Sequence, residues 1–253
     1  MNRKLALITG ATAGIGFETA QLLAQNNYNL ILTGRRKNRL QSIKDQLEKS
    51  TGSTILILNF DIRSKTETEN ALSAIPEEWR SIDVLINNAG LAAGLAPVNS
   101  ADVDDWEAMI DTNVKGLLYI TRIVSPWMVE RKTGHIISIT SIAGKESYPN
   151  GSVYCGTKHA VAAISRAMRI ELMPHGIKVT TIAPGAVDTE FSLVRFRGDQ
   201  EKAAAVYNGF TPLSGKDVAE TILFVLNRPP HVNIDDLLIM PTAQASARDF
   251  NRK

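Results

Sequence analysis

Short apolar runs recur along the chain at Lys4–Thr9, Asn29–Thr33, Thr54–Asn59, Ile82–Asn87, Gly134–Thr140, Ile177–Ile182 and Leu237–Met240. Most are continuously apolar rather than alternating, the pattern of strands covered on both faces. The amphipathic stretches between them predict helices over 15–26, 36–49, 65–75, 104–131, 152–173 and 215–227. Strand and helix alternate almost throughout, so the expected fold is α/β: a doubly wound parallel sheet of about seven strands with helices on both faces. No linker, repeat or shift in composition divides the 253 residues, and 1–253 read as one domain. The exception to the alternation is the irregular region from Pro184 to about Gly215, after the sixth strand. Inserts of that kind shape substrate pockets in this architecture.

Composition narrows the setting. Lys and Arg number 28 against 26 Asp and Glu, and a net charge of +2 gives no broad field for nucleic acid or an anionic membrane. An anion site must therefore be local. A single cysteine, Cys155, excludes an internal disulfide framework and suits a reducing, cytoplasmic setting. The basic start Met1-Asn2-Arg3-Lys4 superficially resembles a signal peptide, but its apolar run breaks at Thr9-Gly10 and reads as a first strand. The longest uncharged stretch, Val84 to Ala101, contains Asn, Gly and Pro and is no membrane helix. His135, His159, His175 and His231 do not fall at metal-ligand spacing with Cys155 or paired carboxylates.

The first strand runs into Thr9-Gly10-Ala11-Thr12-Ala13-Gly14-Ile15-Gly16, and a helix follows at once. Gly10 permits a tight turn. Gly14 and Gly16 clear side chains from where a pyrophosphate would meet backbone N–H groups at the positive end of that helix. About 20 residues further on, dinucleotide folds place the residue that reads the ribose. Here that place carries Arg35 and Arg36 and no acid. A carboxylate there would accept from the free 2′-hydroxyl of NAD, whereas paired guanidinium groups fork onto the 2′-phosphate of NADP. NADP is the expected coenzyme.

Tyr154 and Lys158 stand four apart, which on a helix puts both on one face. A free phenol, with a pKa of about 10, is too weakly acidic to serve as a base at neutral pH, and a neighbouring ammonium stabilises its phenolate. Lowering it by roughly three units takes about 4 kcal/mol, reachable when Lys158 and the nicotinamide charge act together in a water-poor site.

These landmarks stand in order with Asn87-Asn88-Ala89-Gly90, Asn113, Ser141 and Pro184-Gly185, and the whole chain resembles the short-chain dehydrogenase/reductase family. The resemblance implies a Rossmann-type fold, with Tyr154 as acid/base and Lys158 as its pKa tuner and ribose ligand. Ser141 would donate to the substrate oxygen, and Asn113 would hold a water in a proton relay to Lys158. Ser138, within the apolar fifth strand, reads instead as a structural hydroxyl bonded to backbone. Coenzyme contacts are implied for Gly10, Thr12, Gly14, Ile15 and Gly16, for Arg35 and Arg36, and for Asp61 and Ile62. Asn88, Ala89, Gly90, Tyr154 and Lys158 complete that edge, with Asp61 accepting from the adenine amine. Pro184, Gly185, Val187 and Thr189 would meet the nicotinamide carboxamide and expose the face for pro-S hydride transfer.

The segments 188–199 and 231–234 resemble NADP-dependent 3-hydroxy acid dehydrogenases that oxidise serine, L-allo-threonine and related short acids. Lys145-Glu146-Ser147 departs from members that carry apolar or aromatic residues there. A hydroxy acid presents a carboxylate, so Arg195 and Arg197 are the candidate readers, each with a solvated loop charge as its alternative. Oxidising serine at the 3-hydroxyl yields a β-keto acid able to lose CO₂ unaided. Two other functions stay open: an NADPH-dependent reductase of 3-oxoacyl thioesters, diketones or sugars, and a non-catalytic NADP-binding regulator. Apolar residues on several faces of 104–131 and 152–173 suggest association, and the resemblance implies a homotetramer.

Overall fold

The computed structural model describes residues 3–253. Among them, seven parallel strands form one sheet: β1 (Lys4–Ile8), β2 (Tyr28–Gly34), β3 (Ile55–Asn59), β4 (Val84–Asn87), β5 (Gly134–Ile139), β6 (Ile177–Pro184) and β9 (Asp236–Ile239). Two-residue strands β7 (Val187–Asp188) and β8 (Leu213–Ser214) pair separately. The order across the sheet is β3-β2-β1-β4-β5-β6-β9. Strand order thus reverses direction between β1 and β4, and their carboxyl ends open the crevice where ligands bind in such sheets.

The continuous apolar runs are explained by two cores. Ala6, Ile8, Leu30, Leu32 and Ile86 point to one face, against α1 (Gly14–Gln25), α2 (Lys37–Thr51) and α9 (Gly215–Leu226). Leu5, Leu7, Ile31 and Leu85 point to the other, against α3 (Lys65–Ser73), α5 (Leu117–Arg131) and α6 (Ser152–Leu172). Successive residues alternate faces along a strand, so only a strand covered on both sides is apolar at every position. Each fully buried Leu or Ile contributes about 1.5–3 kcal/mol, which makes this sheet the rigid floor of the crevice.

Local signals set the helix ends. Ser64 caps α3 by accepting from the Glu67 amide at 3.2 Å, Gly52 closes α2 at φ +66°, and Ser214 with Asp217 forms a reciprocal cap on α9.

Two expectations change. The helix expected over 104–131 is interrupted: α4 (Val103–Ile110) passes through a π-helical turn at Asp111–Gly116 before α5 begins. Within that turn, the Asn113 side chain exchanges two bonds with the Leu91 backbone, accepting from its N–H at 2.8 Å and donating to its carbonyl at 2.9 Å. Such turns widen the helix and recur at functional sites. The region 184–215, expected to be irregular, holds two short helices, α7 (Glu190–Arg195) and α8 (Gln200–Ala205). Thr189 caps the first and Asp199 the second.

Candidate active site

A cleft of about 360 Å³ runs along the carboxyl ends of β1, β2, β4, β5 and β6. One end is built from the glycine turn. Gly10 and Gly14 adopt φ +66° and +52°, conformations that favour glycine. A Cβ on Gly16 would collide with the Gly10 carbonyl oxygen, so Gly16 serves the close return of α1 onto the turn and does not line the cleft. The turn is held from β4: Asn88 Nδ2 donates to the Thr9 carbonyl at 2.9 Å, and Thr9 Oγ1 accepts from the Asn88 and Ala89 amides at 3.0 and 2.9 Å. The N-cap of α1 is Ala13, with no side-chain acceptor and no acid in the first turn. The positive end of α1 therefore faces the cleft uncompensated by protein charge.

Arg35 and Arg36 line the same end. Arg35 is 59% exposed and among the described residues reaches only Asp61, at 3.7 Å. Arg36 donates through Nε and Nη2 to Thr12 Oγ1 at 3.0 and 2.8 Å and through Nη1 to Glu190 at 2.7 Å. Asp61 also lines the cleft, but Arg63 engages both its oxygens, the shortest contact being 2.6 Å. The bonds and charge of Arg63 hold its carboxyl below the usual range against the opposing effect of burial. The turn's glycines, the bare helix end and the accessible Arg35 fit a dinucleotide carrying a 2′-phosphate.

At the other end, Tyr154 and Lys158 lie one turn apart on α6, both buried. Lys158 Nζ donates to the Ile139 carbonyl at 2.9 Å and sits 6.0 Å from the centre of the Tyr154 ring. Ser141 caps the turn after β5, accepting from Ala143 N at 3.1 Å, and its hydroxyl faces the cleft. A Cβ on Gly144 would press on the Lys158 backbone at 2.8 Å, so this glycine lets the Ser141 turn approach α6. Asn113 stands one layer behind: besides Leu91, its Nδ2 donates to Thr157 Oγ1 at 3.0 Å. Its side chain thereby ties the π turn to α6 directly behind Lys158. Ser138 is a structural hydroxyl, bonded not to backbone but to Ser165 Oγ at 3.0 Å.

Within the protein's own groups Lys158 is not what opposes the burial of Tyr154; the expected tuning also draws on the nicotinamide charge. Burial pushes Tyr154 up to about 12, and the strongest opposing charge is Arg195, with the Ser141 hydroxyl helping. Burial also pulls Lys158 down to about 8. Desolvation disfavours both charged forms, and at 6.0 Å the ammonium does not offset it.

The two candidate arginines part company. Arg195 turns inward, with its guanidinium 4.9 Å from the Tyr154 ring centre and 5.5 Å from that of Phe191. Its Nη2 donates to Tyr148 Oη at 3.1 Å, while its buried Nε has no partner among the described residues. Arg197 turns outward, bonded to Asp102 at 2.6 Å and Asp105 at 2.9 Å. It is a surface clamp and does not reach the substrate end. Sequence reasoning gave no role to Tyr148 or Arg39, and quoted Thr9, Glu190 and Phe191 within longer motifs without a role of their own. Tyr148 stands beside the divergent Lys145-Glu146-Ser147.

The remaining histidine and cysteine groups point elsewhere. His135 Nε2 pairs with Thr180 Oγ1 at 2.9 Å, His159 with the Cys155 carbonyl at 2.9 Å, and Cys155 is buried. No three His, Cys, Asp or Glu side chains gather as a metal site among the described residues, and none of their helices is long and apolar enough to cross a membrane.

Residues 4–199 match the family model of short chain dehydrogenases. The chain is 47% identical over 244 residues to the NADP-dependent 3-hydroxy acid dehydrogenase YdfG of Salmonella typhi, covering 96% of this chain and 97% of that one. It is 42% identical to the serine 3-dehydrogenase of Rhizobium radiobacter over 95% of both chains. Among solved structures, the closed form of a serine dehydrogenase complexed with NADP+ superposes with a TM-score of 0.92 at 45% identity, covering 98% of this chain and 100% of that one.

Proposed function

Because this chain belongs to the short-chain dehydrogenase family, we propose that it is an NADP-dependent oxidoreductase that oxidises the 3-hydroxyl of short 3-hydroxy acids, serine and L-allo-threonine among them. The observation that carries the substrate class is Arg195. A guanidinium 4.9 Å from the Tyr154 ring, with a buried Nε unpartnered among the described residues, is a cation against the catalytic phenol, in the small recess that shares Tyr154 with the main cleft. A carboxylate two bonds from the reacting carbon is the natural counter-charge. The names of the relatives point the same way.

The glycine turn, Arg35 and Arg36 would hold NADP, which would accept the hydride from the substrate carbon. Once ionised, with the Lys158 ammonium and the positive charge that bound NADP would bring together opposing the effect of burial, the Tyr154 phenolate Oη takes the proton of the substrate hydroxyl as the carbonyl forms. The Ser141 hydroxyl donates to that oxygen, where negative charge grows in the transition state. Lys158 keeps an ammonium next to the phenol. Asn113 fixes the π turn behind it, and Phe191, 5.8 Å from the Tyr154 ring, keeps water from its flank. The loop 184–215 carries Phe191 and Arg195 and so builds the substrate pocket.

The test is to follow reduction of NADP by L-serine in the wild type and in Tyr154→Phe. Turnover falls at least about 100-fold while the dissociation constant for NADP changes less than about threefold. Retained turnover refutes the assignment of Tyr154. The proposed assembly is a cytoplasmic homotetramer, supported by apolar side chains left bare on α5 and just beyond α6, such as Leu118 and Met173 at 41% and 65% exposure. Light scattering then reports about four times the 27.6 kDa chain mass.

A further inference from the structure

The 2′-phosphate end of the cleft contains a charge network in which Glu190 and Arg39 have no part in the chemistry above. Glu190, the first residue of α7, accepts from Arg36 Nη1 at 2.7 Å through one carboxylate oxygen and from Arg39 Nη1 at 2.6 Å through the other. Arg36 is fixed from its other edge by the two bonds to Thr12 Oγ1. The guanidinium edge of Arg36 that is not spent on Thr12 therefore ends on a carboxylate that comes from the substrate loop. Glu190, Arg35 and Arg36 all line the one cleft. A carboxylate and a phosphate present oxygens to a guanidinium in the same planar, forked way, so both suit the same donors.

We propose that Glu190 is an internal competitor of the coenzyme's 2′-phosphate: its carboxylate holds the Arg36 and Arg39 donors that the phosphate takes, and NADP breaks these bridges while NAD leaves them in place. The inference rests on the assignment of Arg35 and Arg36 to the 2′-phosphate. It adds Arg39 as a third guanidinium at that position. Two anions sharing one fork repel. The ion pairs are about half exposed, so solvent and salt screen the effect to a moderate size. The consequence reaches the substrate end, because α7 also carries Phe191 against Tyr154 and Arg195 above it. Loosening the first turn of α7 couples recognition of the 2′-phosphate to the position of the carboxylate-reading arginine.

The experiment is calorimetric titration of the full chain with adenosine 2′,5′-bisphosphate and with 5′-AMP, in the wild type, Glu190→Gln and Glu190→Asp. Melting temperatures establish that each variant is folded. The wild type prefers the bisphosphate. Glu190→Gln binds it about tenfold more tightly than the wild type does, about 1.4 kcal/mol, and binds 5′-AMP within about twofold of the wild type. Glu190→Asp, too short to reach both arginines, moves in the same direction. In the wild type, the bisphosphate raises amide hydrogen exchange across Phe191–Arg195 and 5′-AMP does not. Unchanged or weakened bisphosphate binding by Glu190→Gln overturns the competition alone. A wild type with no preference between the probes overturns the NADP assignment, and the competition with it.

Discussion

Arg195 carries its guanidinium 4.9 Å from the centre of the Tyr154 ring and is held there by Tyr148, whose hydroxyl oxygen accepts from Arg195 Nη2 at 3.1 Å. Arg197, two residues on, is turned away onto Asp102 and Asp105. The two side chains therefore answer differently to removal. Arg195→Ala raises KM for L-serine by about 10–100-fold, the worth of a charge-assisted bond, and leaves KM for an uncharged short alcohol unchanged. Arg197→Ala leaves both within about threefold. Steady-state kinetics on the two substrates checks this, and an unchanged serine KM in Arg195→Ala refutes the carboxylate role.

Lys158 is kept buried at a cost to stability. Its pKa falls from 10.5 to about 8, so between these values the unfolded chain binds the proton and the folded chain does not. Stability therefore rises with pH across that window, and the full penalty is present below about pH 8. Lys158→Met removes it. The variant should unfold at higher urea at pH 7, by about 1–3 kcal/mol after the lost bond to Ile139 O is counted. The gain disappears by about pH 10.5, and turnover falls by at least about 100-fold. Equal stabilisation at both pH values rules out desolvation of the ammonium as the cause.

His135 makes the fold sensitive to acid. Burial, with the charges of Lys178 and Lys4, lowers its pKa from 6.5 to about 3, so the folded chain holds it neutral while the unfolded chain protonates. Stability is lost progressively as pH falls from about 6.5 towards 3, by several kcal/mol at most. His135→Gln flattens the part of that loss above about pH 5, where the carboxylates with lowered pKa do not yet titrate. Urea titrations at pH 7, 6 and 5 measure the slope directly.

Arg35 is the least engaged of the guanidinium groups at the coenzyme end, reaching only Asp61, at 3.7 Å, among the described residues. Arg35→Ala raises the dissociation constant of NADP by about 10-fold or more and that of NAD by less than about threefold, because only the 2′-phosphate presents a second charge. Fluorescence titration with both coenzymes tests it. Equal losses would assign Arg35 to general attraction.

The sheet and its helices were legible because most strands are apolar on both faces and strand and helix alternate along the chain. Tyr154 with Lys158, and the glycine turn, were legible because their spacing is local, whereas Ser141 was named only through the family resemblance. The π turn was not legible, since the Asn113 bonds within it reach Leu91, 22 residues back along the chain. Helices α7 and α8 are six residues each, too short for a periodic pattern. Arg195 and Arg197 look alike in sequence. Only Tyr148 on one side and Asp102 with Asp105 on the other decide which turns inward. The Glu190 bridge to Arg36 spans 154 positions and leaves no local trace.

Substrate class is decided by a kcat/KM panel on the purified protein, setting L-serine and L-allo-threonine with NADP against uncharged short alcohols, and 3-oxoacyl thioesters and simple ketones with NADPH. With Arg195 reading a carboxylate, the hydroxy acids exceed every uncharged substrate by at least about 100-fold, close to 2.7 kcal/mol of transition-state discrimination. A higher value for a thioester or a simple ketone overturns the hydroxy acid assignment.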